Sequence, residues 1–528
     1  MTNRYDVLII GAGHNGLTAA AYLARQGKKV LVLERRGILG GSAGTESFGE
    51  GFTVDPLWTG GMLRPDILRD LKLGLPKIVA KAPFISLASP AGNVTSGDHL
   101  VLDADPLKAT DAIKRFSEHD SARWPEFVRF MEKSAKILEK AYATIMPRLP
   151  MNFNARQGFG LMDLGLHLRL AGRKDMLNFI RALPMTAQEL LEEHFDSEIL
   201  KAAVASLGIH SLTLGPMGAG TGYTLIHNWM NRGGLALLPG SSTAGSKGNT
   251  GIGEIARALA NAVQASGGEI RTNAEVACIQ VDNYTSKGVV LANGEEISAG
   301  KIISSADPKH TLLGLVGPRQ LPPEFVWHVQ SIKMRGSVAK VHLLTDGTHG
   351  IPSGTVALAP SIKYLERAYD AAKYGQISER PYLEVTTSGN TVSIHFQFAP
   401  YHLKPGVQAP APGTPAARQG TREPWNEKRG SLERIAIDTL AEYFPNLKSS
   451  IKDLKSLTPL DLERTYGLTE GDLNHGQLML DQFLFMRPMP GWSDHKTPID
   501  NLYLCGSGVH GGGGVSGAAG RNVARILK

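Results

Sequence analysis

Cysteine is scarce in this sequence of 528 residues, which contains only Cys278 and Cys505 and no C-x-x-C pair. A disulfide framework and a redox disulfide of the thioredoxin type are therefore not expected, and a reducing, cytoplasmic location fits this composition. No apolar run is long enough to span a bilayer. The apolar stretch near the N-terminus is too short for the core of a signal peptide.

A strong excess of one charge is also missing. Lys and Arg number 56 against 49 Asp and Glu, a net charge of +7, which favours an ordinary basic surface over a nucleic-acid partner. His395 and His402 do not belong to an H-E-x-x-H motif, and no other metal-ligand spacing occurs, so no metal site is expected. A G-x-S-x-G nucleophile motif is absent as well.

Glycine, by contrast, is abundant, and its clusters mark places where a backbone can turn tightly or approach a ligand. Near the N-terminus, the apolar, β-branched run 5–10 predicts a buried parallel strand, and 17–26 predicts a helix. Residues 29–33 predict a second strand. The loop 11–16 reads G-x-G-x-x-G, so the four segments form a complete βαβ unit, which is typical of dinucleotide binding.

Each part of this unit has an expected role. Gly11 allows the tight turn, Gly13 lets the backbone approach a pyrophosphate, and Gly16 lets the helix pack against the strand. The loop, with Asn15 in it, leads into a helix N-terminus that offers free N–H groups and a partial positive charge to phosphates. Glu34 closes the second strand, where its carboxylate can accept from ribose hydroxyls and would repel the 2′-phosphate of NADP.

A second glycine turn favours FAD over NAD as the dinucleotide. Arg35 and then Gly40, Gly41 and Ser42 follow directly after Glu34. The backbone amides of this turn would approach the same pyrophosphate. No second βαβ fingerprint occurs, so a resident NADPH site is not expected, and electrons would leave to oxygen, a quinone or another protein.

A remote strand–glycine–helix element lies near the C-terminus. Residues 501–505 predict a strand, 506–517 are rich in glycine, and 518–528 predict a short amphipathic helix. The helix N-terminus would stabilise an anionic reduced flavin that faces it. His510, in this loop, is the candidate catalytic residue, as acid/base or as hydrogen-bond donor to the reduced flavin. The equal alternative is a histidine that only shapes the loop.

These segments resemble the phytoene-desaturase-like branch of the FAD amine-oxidase superfamily. The likeness rests on YDVLIIGAGHNGLTAAAYLARQGKKVLVLERR with the GG that follows, on NLYLCGSGVHGGGGVSGAAGRN, and on GIGEIARALANAVQASGGEIRTNAEVACI and KIISSADPKHTLL between them. The resemblance implies that Val276 contacts adenine through its backbone. It also implies that Gly506, Ser507 and Val515 lie along the ribityl chain and the flavin ring.

The resemblance implies an FAD-dependent oxidoreductase. The leading expectation is a dehydrogenase, desaturase or oxidase that passes a hydride from a hydrophobic, polyene or isoprenoid-like small molecule to flavin N5. Two alternatives stay open: an O-type carotenoid ketolase, and a non-catalytic FAD-binding interaction protein.

The expected fold class is α/β, with a discontinuous Rossmann-like FAD-binding domain and an α+β substrate domain that has a mixed or antiparallel sheet and helices. The FAD-binding domain is assigned to 1–75, 240–310 and 480–528, and the substrate domain to 76–239 and 311–479. Residues 241–249 interrupt a glycine motif that is continuous in many relatives, and they predict a surface or active-site loop.

The stretch 159–185 allows two interpretations. Leu161, Leu164 and Leu168 lie on one helical face, with basic residues nearby, so the stretch predicts either a core-packed helix with a solvated basic rim or a peripheral membrane contact. The core-packed helix is favoured. Alternating leucines also fit a strand, so the period does not decide the element.

Overall fold

The computed structural model describes residues 5–58, 60–75, 82–88, 99–148, 155–235, 252–404 and 424–528. The strands are β1 (Tyr5–Ile10), β2 (Val30–Leu33), β3 (Glu46–Ser47), β4 (Thr53–Val54), β5 (Phe84–Ser86), β6 (Leu100–Leu102), β7 (Glu269–Arg271), β8 (Val276–Asp282), β9 (Thr285–Leu291), β10 (Glu296–Ser304), β11 (Val338–Thr345), β12 (Thr355–Ala357), β13 (Leu383–Ser388), β14 (Thr391–Gln397), β15 (Ile451–Leu457) and β16 (Leu502–Leu504). The α-helices are α1 (His14–Arg25), α2 (Pro65–Leu71), α3 (Pro106–Lys114), α4 (Glu118–Ala143), α5 (Ala155–Leu170), α6 (Arg173–Ala182), α7 (Ala187–Glu192), α8 (Glu198–Ile209), α9 (Thr221–Arg232), α10 (Gly253–Ala265), α11 (Pro323–Ser331), α12 (Ile362–Lys373), α13 (Pro424–Ala441), α14 (Leu447–Ser450), α15 (Pro459–Tyr466) and α16 (Ala518–Ile526).

The first sheet is built around β10, which pairs in parallel with β1 on one side and with β16 on the other. Beyond β1 the parallel order continues through β2 to β7, while β9 and β8 add an antiparallel extension to the start of β10. Val7 and Ile9 face a core shared with α1 and α10, whereas Leu8 and Ile10 face a second core. Both faces of β1 are therefore buried, which explains its continuous apolar sequence.

The second sheet has the order β15-β11-β14-β13-β12-β5-β6 and is antiparallel except between β12 and β5. Helices α8 and α12 contribute to the core on one of its faces, and α13 to the core on the other. A Rossmann-like parallel sheet and a mixed sheet with many helices thus occur together, and the predicted fold class is confirmed. The assigned domain boundaries at 76 and 240, and the insertion 241–249, lie outside the described residues.

Residues 159–182 form helices on the surface, and the favoured prediction of a core-packed helix fits the predicted face only, where Leu168 packs against the core of the helical half. Leu161, Leu164 and Leu168 are only half-buried. Phe159 and Leu170 are 66% and 74% exposed. The reason is that α5 is apolar on two faces, and only one of them contacts the body of the protein.

Candidate active site

A cleft lies where the carboxyl ends of β1 and β10 meet the N-terminus of α1. Its cavity volume is about 130 Å³, and the cleft is open to solvent. Ligand sites of doubly wound sheets form beyond the carboxyl ends of the parallel strands. Nine residues predicted to bind the cofactor line this cleft: Gly11, Gly13, Asn15, Glu34, Arg35, Gly41, Ser42, Val276 and Ser507.

Four further predicted residues do not line the cleft: Gly16, Gly40, Gly506 and Val515. A Cβ at Gly16 would lie 2.2 Å from the carbonyl oxygen of Gly11, and one at Gly506 would lie 2.5 Å from that of Ser305. These two glycines therefore permit close packing of the backbone segments that shape the cleft, rather than exposing surface to it.

Gly13 is the point where the backbone is open to the cleft. It begins α1 with an extended conformation and no side-chain cap, and a Cβ added there would meet no protein atom within 4 Å. Gly41, with φ +58°, lies beside it, since a Cβ at Gly41 would be 3.3 Å from the Gly13 Cα. The two glycine turns therefore meet at the start of α1, where helix N–H groups have no acceptor within the helix.

Glu34 is nearly buried, at 6% exposure, and both of its carboxylate oxygens already accept hydrogen bonds. Oε2 accepts from the N–H of Ala12 and Oε1 from the N–H of Arg36, each at 2.9 Å. A carboxylate has about four acceptor positions, so two remain for a ligand. The carboxylate is thus fixed in place and still able to accept from hydroxyl groups such as those of a ribose.

Polar atoms that line the cleft test whether FAD fits it. Among the described residues, four buried side-chain atoms there have no hydrogen-bond partner: His14 Nε2, Asn15 Oδ1, Arg36 Nη1 and His475 Nδ1. Burial, with the charge of His475, lowers the pKa of His14 to about 4, so this imidazole is neutral at neutral pH. Buried polar groups are normally hydrogen-bonded. The cleft therefore suits a molecule whose phosphate oxygens accept hydrogen bonds and whose hydroxyl groups both donate and accept them.

The C-terminal glycine loop reaches the same cleft through Ser507. Asn15 Nδ2 lies 3.5 Å from the hydroxyl of Ser507. The buried guanidinium of Arg487 donates to the carbonyl of Ser507 at 2.9 Å and to that of Asn474 at 2.6 Å. The loop is therefore held from behind by a charged side chain while Ser507 faces the cleft.

His510 is placed differently from its neighbours in that loop. It is 1% exposed and does not line the cleft. Its Nε2 lies 2.9 Å from the carbonyl of Thr144 and 3.2 Å from that of Ala141, so this nitrogen carries the proton and donates. Burial lowers the pKa of His510 to about 4. These contacts favour the loop-shaping alternative; a catalytic role stays a prediction.

Residues that sequence reasoning missed also form the cleft. The hydroxyl of Ser305 donates to the carbonyls of Ile10 and Gly11, at 2.9 and 3.0 Å, and so joins the end of β10 to the glycine loop. The guanidinium of Arg36 lies over the ring of Tyr466, 4.5 Å from its centroid. The position of Ser305 directly after a parallel strand was a usable signal, whereas nothing local marks Tyr466.

A second constellation, which we call the polar row, consists of Lys340, His395 and Glu384 on three neighbouring strands. Lys340 pairs in register with His395, and His395 with Glu384. Arg232, the last residue of α9, makes a bidentate ion pair with Glu384 at 2.6 and 3.1 Å. The ring of His210, at the end of α8, stacks on His395 with centroids 4.3 Å apart.

The polar row is connected to the C-terminal glycine loop by hydrogen bonds. His395 Nε2 lies 2.9 Å from the amide oxygen of Gln397, which accepts from the N–H of Ser211 at 2.9 Å. The carbonyl of Ser211 accepts from the amide of Asn474 at 2.9 Å. The carbonyls of Asn474 and Ser507 both accept from Arg487, so one hydrogen-bond network extends from the cleft to the second sheet.

Burial sets the protonation of the polar row. Burial lowers the pKa of Lys340 to about 7, with Glu384 opposing and Arg232 adding to the shift, and its ammonium group has no hydrogen-bond partner among the described residues. Burial also lowers the pKa of His210 to about 4, and that of His395 well below its usual value. For Glu384, burial favours a higher pKa, but Arg232 and His210 hold it well below normal.

Comparison with known proteins identifies the family to which the chain belongs. The profile of the flavin containing amine oxidoreductase family matches residues 99–395, more than half of the chain, and that of an NAD(P)-binding Rossmann-like domain matches 9–58. The chain belongs to the flavin containing amine oxidoreductase family. It is an FAD-dependent oxidoreductase of the amine-oxidase superfamily, and the predicted family resemblance and FAD cofactor are confirmed.

Individual relatives cover nearly the whole chain. Pyridine nucleotide-disulfide oxidoreductase domain-containing protein 2 of Rattus norvegicus is 32% identical over 99% of this chain and 93% of that protein. One of the limonene dehydrogenase subunits of Castellaniella defragrans is 26% identical over 99% and 94%. A neurosporene-forming phytoene desaturase of Cereibacter sphaeroides is 25% identical over 97% and 92%.

A solved structure shares the fold. An oxidoreductase from Methanosarcina mazei superposes with a TM-score of 0.59 over 99% of this chain and 100% of that one, at 16% identity. This likeness supports the two-part architecture described above. In the described part of the chain, no helix is both long enough and apolar enough to cross a membrane.

Proposed function

We propose that this flavoprotein is a dehydrogenase, desaturase or oxidase that removes a hydride from a hydrophobic, isoprenoid-like molecule. One observation carries the proposal: two relatives that align with 97–99% of the chain are named for reactions of limonene and phytoene, which are isoprenoid hydrocarbons. These alignments include the second sheet and its helices, where a substrate would be selected, as well as the cofactor segments.

Bound FAD supplies the hydride acceptor, at flavin N5. A hydrocarbon that gives up a hydride must also lose a proton from a neighbouring carbon if a new double bond is to form. The protein therefore needs a base that is not positively charged before it accepts this proton. Such a group is expected inside the protein, where water does not compete for the reactive carbon.

Lys340 of the polar row has the properties of that group. Its pKa of about 7 leaves much of it as a neutral amine at neutral pH, and Nζ has a free lone pair in that form. On the same face of β11, His342 Nε2 lies 3.1 Å from the carbonyl of Pro56. Trp58 lies two residues after Pro56, and the centroid of its ring is 6.3 Å from that of His210. The polar row therefore borders a segment of the cofactor-binding half.

The substrate class is tested by mixing the purified holoprotein, without oxygen, with limonene, phytoene or a primary amine. We expect the flavin absorbance to bleach with an isoprenoid hydrocarbon, and mass spectrometry to find a product that has lost two hydrogens. A ketone product would instead favour the ketolase alternative. Bleaching no faster than that of free flavin with every compound would favour a non-catalytic protein. Adding oxygen or a quinone afterwards identifies the electron acceptor.

Replacing Lys340 by Met tests the proton acceptor. In the unaltered protein we expect the rate of flavin reduction to rise as the pH increases through about 7, because Lys340 loses its proton there. The Lys340→Met variant should reduce its flavin roughly 100-fold more slowly, the lower part of the range for a general base, and should lose that pH step. Lys452→Met, on the exposed surface, is the control. An unchanged pH step in Lys340→Met would contradict the assignment.

A further inference from the structure

The outer surface of α5 and α6 exposes an unusual set of large apolar side chains. Their exposed fractions range from 47% to 74%, and the set consists of Phe159, Met162, Leu166, Leu170, Leu177 and Ile180. Scattered apolar residues are normal on protein surfaces, whereas a contiguous group of this kind marks a binding surface. We call these six residues the apolar stripe.

The spacing within α5 shows that its four residues of the apolar stripe lie on one face of that helix. Phe159, Met162, Leu166 and Leu170 follow one another at intervals of three and four residues, which places them along one side of α5. The opposite side carries the half-buried leucines that contact the rest of the protein, such as Leu168, which packs against the core of the helical half. The apolar stripe therefore has no partner within the described chain.

Basic side chains border the apolar stripe. Arg169 and Arg173 are exposed and, within the described residues, form no ion pair. Lys174 and Arg181 are also exposed on α6, where they pair with Glu126 and Glu193. The two acids of these helices, Asp163 and Asp175, are each paired with a lysine of α4. The outer surface thus combines apolar and positively charged side chains.

A cavity of about 790 Å³ beside the N-terminal half of α5 extends the positive charge. It reaches α5 at Gly160 and Asp163. Three acidic side chains line it, against six basic ones: Arg64, Lys140, Lys496, Arg521, Arg525 and Lys528. The guanidinium of Arg521 pairs with Asp66 at 3.0 Å through Nη2, while its buried Nε and Nη1 have no hydrogen-bond partner among the described residues.

We propose that the outer surface of α5 and α6 docks on an anionic lipid bilayer. Side chains of this kind on one helical face, with Arg and Lys next to them, are those that lie in the interfacial plane of a membrane. A second copy of the chain fits less well, because a symmetric pairing through this surface would bring its basic residues together. The inference does not depend on the identity of the substrate.

Vesicle sedimentation with the holoprotein tests the docking. We expect binding to vesicles of phosphatidylcholine and phosphatidylglycerol, weaker binding to phosphatidylcholine alone, and loss of the difference at high salt because exposed charges are then screened. The double variant Leu166→Glu/Leu170→Glu should weaken binding by roughly tenfold or more, since two apolar anchors become charged. Arg169→Glu/Arg173→Glu should remove the preference for the anionic lipid.

The control is Leu107→Glu, because Leu107 is 76% exposed on α3 and is not part of the apolar stripe. This variant should sediment like the unaltered protein, and all variants should keep their circular dichroism and flavin absorbance. Equal sedimentation of Leu166→Glu/Leu170→Glu and the control would overturn the proposal. So would light scattering that shows a dimer which this double variant, and not Leu107→Glu, converts to a monomer.

Discussion

Replacing Gly13 by Val is expected to leave the protein folded but without FAD. A Cβ at this position meets no protein atom within 4 Å and the backbone is extended, so the fold has room for the side chain and a suitable conformation. The new side chain would therefore lie in the cleft, at the point where a pyrophosphate must approach the backbone closely. We expect the affinity for FAD to fall by roughly two orders of magnitude, and the purified variant to lose most of its flavin absorbance.

Gly74→Val is the matched control, since a Cβ at the exposed Gly74 also meets nothing within 4 Å and Gly74 does not line the cleft that Gly13 lines. Both variants should show the circular dichroism of the unaltered protein. A Gly13→Val protein that retains its flavin would show that the cofactor does not approach this loop. Gly16→Val is less informative, because its side chain would clash with the carbonyl of Gly11 and disturb the fold itself.

A large loss of stability is expected from Arg232→Met. This change leaves the carboxylate of Glu384, which is 2% exposed, without its bidentate partner. Removing one member of a buried ion pair costs about 3–5 kcal/mol, because the remaining charge is neither solvated nor paired. Denaturant unfolding followed by circular dichroism should show a correspondingly lower midpoint, and adding Glu384→Gln to Arg232→Met should recover part of the loss.

Arg123→Ala provides the comparison, since Arg123 pairs with Glu126 at 2.9 Å on the surface, with both side chains about half-exposed. Exposed pairs of this kind contribute about 0–1 kcal/mol. The two arginines should therefore differ clearly in their effects. Similar losses for Arg232→Met and Arg123→Ala would mean that the polar row is better solvated than its burial indicates.

Much of the cofactor half was predictable because its signals are local. The strand, loop, helix and second strand of the N-terminal βαβ unit occupy consecutive residues, and each has its own apolar or glycine pattern. The Asn293-Gly294 pair between β9 and β10 is a local turn signal of the same kind. The contact between the turns at Gly13 and Gly41 could be inferred because both follow strands of one sheet.

The remaining features depend on contacts between distant segments. The polar row exists because β11, β13 and β14 pair in a particular register, and no local pattern shows that Lys340 lies opposite His395. Tyr466 reaches the cleft from α15, far along the chain. The exposure of the second apolar face of α5 was not predicted, because an apolar helical face has the same spacing whether it packs against a core or lies on the surface.

The position of β10 between β1 and β16 has a consequence for folding. β1 and β16 lie far apart in sequence and both pair with β10, and α16 packs on α1. The sheet around the N-terminal βαβ unit is therefore completed by strands that follow it at a long distance in sequence, β10 and β16. Such long-range pairing folds slowly and exposes apolar surface in the meantime. The cofactor cleft, which is lined by Gly13 from one of these segments and Ser507 from the other, is complete only when both are in place.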